Sequence, residues 1–242
     1  MLKVTTSWDD GDAFDEKLAT LLDQYEIRGT FYIAKAYRVA RLTDAVIQQL
    51  SQRHEIGAHT LSHPNLPICS REEKRREILG SKQWLEQLLG KQIPLFCYPA
   101  GYQDAETEEI VRSVGFHGAR TTIQGFISNA QNPFQMPTTV QVYPMPYRKM
   151  GAQSYYWRHL LDPFHERSSA FRAMGVSWWA FRSWEALAKA TFEVALQRGQ
   201  VFHLWGHSWE IEKYGMWEEL ERVLAYIAHR ADCHYVTNGE LL

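Results

Sequence analysis

The sequence has no surplus of positive charge, little cysteine and no long apolar run, and each absence removes a class of function. Lysine and arginine number 26 against 28 aspartates and glutamates, a net charge of −2. Nucleic-acid binding rests on a basic footprint that this balance does not supply, so nucleic acid is not an expected partner. The three cysteines, Cys69, Cys97 and Cys233, are widely spaced, odd in number and form no C-x-x-C. Neither a disulfide framework nor a thiolate zinc site fits them. No stretch approaches the roughly 20 apolar residues of a membrane span, and the N-terminus enters an apolar strand at Leu2 without a signal-like segment. The expectation is a cytoplasmic chain with no membrane span, exported only if a leader was trimmed from it. Internal repeats and low-complexity tracts are missing as well.

What is present is an alternation of short apolar runs and helical periodicity. A length of 242 residues suffices for one sizeable core, and a single domain over 1–242 is expected. Strands are predicted at 2–6, 29–34, 55–60, 95–98, 116–121, 138–143, 200–205 and 234–237. Helices are predicted at about 13–25, 43–53, 70–89, 104–114, 183–198 and 216–230. Ser70 and Glu73 have the spacing of a capping box, and Gly90 stops that helix. Strand-helix alternation favours a parallel sheet or barrel. It fails between about 127 and 172, a Pro-, Gln-, Tyr- and His-rich stretch containing Tyr155-Tyr156-Trp157 that reads as an irregular insertion.

Polar, reactive residues recur where the strands end. Asp9 and Asp10 close the first strand in Ser7-Trp8-Asp9-Asp10-Gly11; taken alone, they read equally well as a turn with a helix cap. His59 and His63 stand four apart after the third strand, a spacing that can aim two imidazoles at one atom and suits zinc, cobalt or nickel. The helical zinc-protease pattern is excluded because Thr60, not glutamate, follows the first histidine. A histidine pair by itself is more often coincidence than a ligand set. Asp10 as a third donor, at the same end of the strands, reverses that judgement.

With these residues the chain resembles the polysaccharide deacetylases, carbohydrate esterase family four with its nodulation-type deacetylase domain. The family's T/S-F-D-D-G is matched by Ser7-Trp8-Asp9-Asp10-Gly11, with Trp for Phe, and its H-S/T-x-x-H by His59-Thr60-Leu61-Ser62-His63. Its last motif, an apolar stretch ending in histidine, is met by Leu204-Trp205-Gly206-His207. The resemblance implies an α/β fold, a distorted, TIM-barrel-like (β/α) barrel of about seven parallel strands with the site at its mouth. It implies one divalent metal ion on Asp10, His59 and His63, with zinc the first choice and cobalt or nickel next. Asp9 would be the general base and His207 the general acid.

The third motif departs from the family. R-x-P-Y-G is here Cys97-Tyr98-Pro99-Ala100-Gly101, and no D-x-x-D-W follows. Ala100 can still offer a backbone N–H to an oxyanion. The missing arginine charge is assigned to Arg120, at the end of the next strand, which requires its guanidinium within about 6 Å of Asp9. Tyr98, Pro99, Trp205 and Trp209 are assigned to substrate binding, with Trp205 as a wall of the acyl pocket. Glu210 reads either as a partner that orients His207 or as a solvated loop carboxylate, and Asp12 as a turn or cap residue.

The implied function is metal-dependent removal of an N-acetyl or other small N-acyl group from an amino sugar or oligosaccharide, releasing acetate. Alternatives are a non-sugar amide, a formyl-sugar, an O-acetyl ester, or a glycan-binding module that has lost catalysis. The N-acylated glycan is the expected partner, and the sequence leaves the oligomeric state open.

Overall fold

The computed structural model describes residues 1–128, 130–147 and 161–242. The Tyr155-Tyr156-Trp157 run of the expected insertion lies outside the described residues. Strand β1, Leu2–Asp10, is longer than its apolar stretch alone predicts. Its polar residues find partners that let them be buried: Thr5 donates to Asn238 Oδ1 at 2.9 Å, and the Ser7 hydroxyl meets His203 Nε2 at 2.8 Å.

Parallel neighbours flank β1 on both sides. Strand β7, Val201–Gly206, runs beside Lys3–Trp8; the opposite side takes β8, Cys233–Tyr235, along Leu2–Val4, then β2, Gly29–Ile33, along Thr6–Asp10. The sheet continues through β3, Glu55–Ala58, and β4, Leu95–Cys97, to β5, Gly118–Arg120. Beyond β7 lies β6, Val140–Val142. Every pairing is parallel. The sheet curls so that the β5 end meets the chain leading into β6: the Thr121 N–H donates to the Met136 carbonyl and the Met136 N–H to that of Ala119, both at 2.9 Å. The fold is thus an α/β distorted barrel.

Helices α1, Asp15–Gln24, α2, Asp44–Leu50, α3, Arg71–Leu89, and α4, Ala105–Ser113, follow the first four strands. On α3 the Ser70–Glu73 capping box is closed in both directions, and Gly90 takes the left-handed cap at φ 65°. The expected irregular stretch contains a helix: α5, Asp162–Ala173, packs Phe171 and Phe164 against Phe181. Helices α6, Trp184–Arg198, and α8, Trp217–Ile227, flank β7 in sequence, and a seven-residue helix, α7, Ser208–Tyr214, fills the connection after β7. No helix among the described residues is long and apolar enough to cross a membrane.

Most of the core lies between the sheet's outer face and these helices. Trp8, Leu22, Phe31, Phe96, Leu85 and Leu224 are fully buried there, and each large side chain so placed contributes about 1.5–3 kcal/mol. Inside the curl the apolar cluster is small, Tyr32, Leu95 and Cys97, and above it charged side chains take over.

Candidate active site

The charged layer lies at the C-terminal ends of the strands. A cavity of about 330 Å³ there is lined by Asp9 and Asp10 of β1, His59 and His63 after β3, Ala100 after β4, and Trp205, His207 and Trp209 at the β7–α7 junction. Tyr37, Thr122, Gln124 and Gln141 complete the wall. Consecutive strand residues should point to opposite faces. Asp10 escapes that rule at φ 85°, so both carboxylates reach one cavity. The following Gly11, at φ 71°, lies where a Cβ would come within 2.6 Å of Ile33.

Positive φ angles concentrate here. Six non-glycine residues have them among the described residues, and Asp10, Thr60, His63 and Ala100 are four of the six. Such conformations cost of order 1–3 kcal/mol each and persist only where surrounding bonds over-determine them. The His59–His63 loop shows how: buried Glu77 of α3 accepts the N–H groups of Leu61 and Ser62 and the Ser62 hydroxyl at 2.8–2.9 Å. The Thr60 hydroxyl accepts the His63 N–H at 2.9 Å.

The donor set fits a metal ion. Asp10 Oδ1 is buried without a hydrogen-bond partner and lies 3.6 Å from both His59 Nε2 and His63 Nε2. A tetrahedral zinc shell with bonds of about 2.1 Å has edges of about 3.4 Å, close to these separations. His59 Nδ1 donates to the Cys97 carbonyl at 2.8 Å, which leaves Nε2 as the lone-pair nitrogen facing Asp10. The Tyr37 ring stacks on His63 at 4.1 Å. Burial opposes the charge of Asp10, yet the imidazoles of His59, His207 and His63 hold its pKa well below the carboxylate range. Burial, then the neighbouring His59, pushes His63 down to about 4, so it is neutral and ready to ligate at pH 7. Asp9, His59 and Cys97 also bring ligand atoms together, but Asp9 is already ion-paired and His59 has one free nitrogen, so that set cannot hold a second ion.

Arg120 forms a fully buried ion pair with Asp9. Cys97 and Arg120 are register partners on β4 and β5, so an arginine one strand over reaches the place where the related motif carries its own. The guanidinium is sandwiched near Trp205, 4.7 Å from the ring centre, and Tyr32, 5.3 Å. Cys97 Sγ lies 3.8 Å from Asp9. On the other flank, His207 Nδ1 bonds Glu210 Oε2 at 2.6 Å. Burial would lower the His207 pKa, but Glu210, with Asp10 and Asp9, raises it to about 9.

Two residues assigned to substrate binding do not line the cavity. Strand alternation turns Tyr98 away from Cys97 into the outer core, where it meets Phe96 edge-on and donates its hydroxyl to the Phe134 carbonyl at 3.2 Å. Pro99 is buried at the start of the 3-10 turn Pro99–Gly101 and serves the site only by presenting Ala100, at φ 52° and ψ 15°. Trp205 and Trp209 do line it, and the Trp209 indole N–H donates to Asp10 Oδ2 at 2.8 Å. Asp12 is a turn residue as expected, accepting the Phe14 N–H, and also pairs with Arg38 at 2.8 Å. Among residues the sequence left unassigned, Tyr37 and Glu77 had no signal of their own. Helix α7, which brings Glu210 to His207, was signalled by acidic Glu210 in its first turn and the stop at Gly215.

A sequence model of the polysaccharide deacetylase family matches residues 3–119. A peptidoglycan-N-acetylglucosamine deacetylase of Bacillus cereus is 30% identical over 115 residues, 47% of this chain and 53% of that protein. A chitooligosaccharide deacetylase of Sinorhizobium fredii is 30% identical over 82 residues, 33% of this chain and 38% of that protein. The chain thus spans about half or less of the length of these curated relatives. In fold it is similar to a family 4 acetyl xylan esterase of Clostridium thermocellum solved with a cobalt ion: TM-score 0.59 and 17% identity, over 99% of this chain and 89% of that one. The strand-end geometry, the motif order and these matches lead to one conclusion: over residues 3–119, just under half of its length, the chain is similar to the polysaccharide deacetylase family.

Proposed function

We propose that this chain is a metal-dependent hydrolase that removes an N-acetyl group from an amino sugar within a glycan. Water adds to the amide carbonyl, the C–N bond breaks, and the products are acetate and the free amine. The observation that carries the reading is the convergence of two differently supported proton-transfer groups, Asp9 on Arg120 and His207 on Glu210, at the Asp10–His59–His63 set.

Asp10, His59 and His63 would hold one divalent ion, zinc first and cobalt or nickel next. When bound, such an ion lowers the pKa of a water and polarises a carbonyl. Asp9 takes the proton of the attacking water, and the ion pair with Arg120 fixes the carboxylate in place. The Ala100 N–H supplies a dipole to the developing oxyanion. His207, kept protonated by Glu210, delivers a proton to the departing nitrogen, which is too basic to leave as an anion. Trp205 forms a wall of the acyl pocket.

The substrate class rests on the activities of the Bacillus and Sinorhizobium relatives, a peptidoglycan-N-acetylglucosamine deacetylase and a chitooligosaccharide deacetylase. The acid arrangement favours an amide over an ester, whose alkoxide leaves with less help. The test is acetate release from chitooligosaccharides and from acetylated xylan by metal-loaded protein, with a chelator control. Release from the amide substrate that stops on chelation supports the reading. Release from xylan alone replaces it with an esterase, and ion binding without any acid released from either makes the chain a binding module.

A further inference from the structure

Trp209 lies on the first turn of α7, two residues after His207. Its indole N–H is committed to Asp10 Oδ2 at 2.8 Å, while Oδ1 is the oxygen that faces the two imidazoles without a hydrogen bond. The two oxygens of one carboxylate thus have separate occupants. Behind the indole, the Arg38 guanidinium lies 4.4 Å from the ring centre. Arg38 Nε donates in turn to Oδ2 of Asp12, a residue 2% exposed, at 2.8 Å. A continuous chain of contacts, Asp12 to Arg38 to Trp209 to Asp10, therefore ties the end of β1, the loop after β2 and the start of α7 to one oxygen atom.

We propose that Trp209 is a positioning residue for the metal carboxylate: by occupying Oδ2 it leaves Asp10 only Oδ1 for an ion, and Arg38 with Asp12 locks the indole in place. A carboxylate free to bind through both oxygens would fill a coordination position that a hydrolytic site must keep open. A cation over the ring also draws on its electron density and makes the N–H a stronger donor. A tryptophan used solely as a sugar platform needs its face and has no use for a half-buried N–H bond to a carboxylate. Outer partners of metal ligands typically govern affinity by about 10–100-fold.

The inference rests on the metal-dependent reading above, and binding by the apo protein separates the two. Apo wild type, Trp209→Phe and Arg38→Met are titrated with Co²⁺, following heat and the visible spectrum, with thermal melts of each apo form. Trp209→Phe keeps an aromatic side chain but loses the N–H together with part of the indole, so Arg38→Met, which leaves the indole intact, is read beside it. The Co²⁺ affinity of Trp209→Phe is expected to fall by about 10–100-fold with an altered visible spectrum, and that of Arg38→Met to fall less in the same direction. Wild-type affinity and spectrum in Trp209→Phe overturn the proposal. If that variant does not fold, Arg38→Met decides alone, an unchanged affinity counting against. A wild type that binds no Co²⁺ defeats the underlying reading instead.

Discussion

The two ends of the curled sheet differ in a way that size does not reveal. At the N-terminal ends of the strands a cleft of about 700 Å³ is lined by Glu55, His117, Val201 and the C-terminal Leu241 and Leu242. It is roughly twice the volume of the cavity at the other end. None of the described residues lining it has a positive φ, and Glu55 is satisfied by the Thr30 hydroxyl and the Gly239 N–H. The smaller cavity collects most of the left-handed non-glycine backbone of the described residues, the fully buried Asp9–Arg120 ion pair and the unpartnered Oδ1 of Asp10. Stability is spent at one end and conserved at the other, the pattern expected of a parallel strand-helix fold whose chemistry sits at the C-terminal mouth.

Four perturbations sharpen that contrast, in falling order of effect. Removing the ion with a chelator should abolish acetate release, and added zinc or cobalt should restore it; activity in the chelated protein would detach the chemistry from Asp10, His59 and His63. Arg120→Met strands the Asp9 carboxylate in a buried place without its cation. It should cost about 3–5 kcal/mol in denaturant unfolding together with most activity. Glu210→Gln removes the charge that raises His207 to about 9. With the protonated imidazole as the active form, as proposed above, kcat/KM should fall as pH rises through that pKa, and the variant's alkaline limb should move to lower pH. The accompanying loss should be smaller than the about 10²–10⁴-fold that a missing general acid costs. At the opposite mouth, exposed His117→Ala should leave kcat/KM unchanged and shift stability by less than about 0.5 kcal/mol. A kinetic defect there would break the comparison.

How much of this could be read beforehand depended on the range of the interaction. The strand-end carboxylates and the His59–His63 spacing are local, so a short window carries them. The nearness of Arg120 to Asp9 spans 111 residues and followed only from reading 116–121 as the strand after 95–98. Side-chain direction was harder. Tyr98 is a site residue by its place in the motif, but the two-residue strand period turns it outward into the core. Helix α7 is too short, at seven residues, to carry much periodicity, and the indole–Asp10 bond is hidden with it, whereas the His207–Glu210 bond is one of the two readings that Glu210 allows from sequence. Helix α5 was hidden by a segment whose composition suggested irregularity, although Phe164 and Phe171 have helical spacing.

The central claim is that adjacent carboxylates have separate tasks, Asp10 holding an ion and Asp9 moving a proton. Asp9→Asn, loaded with zinc and given an N-acetylglucosamine oligomer, tests it when metal content and acetate release are measured on the same sample. The account predicts one equivalent of bound zinc and release slowed by about 10²–10⁴-fold. Near-wild-type release with the ion in place would contradict it.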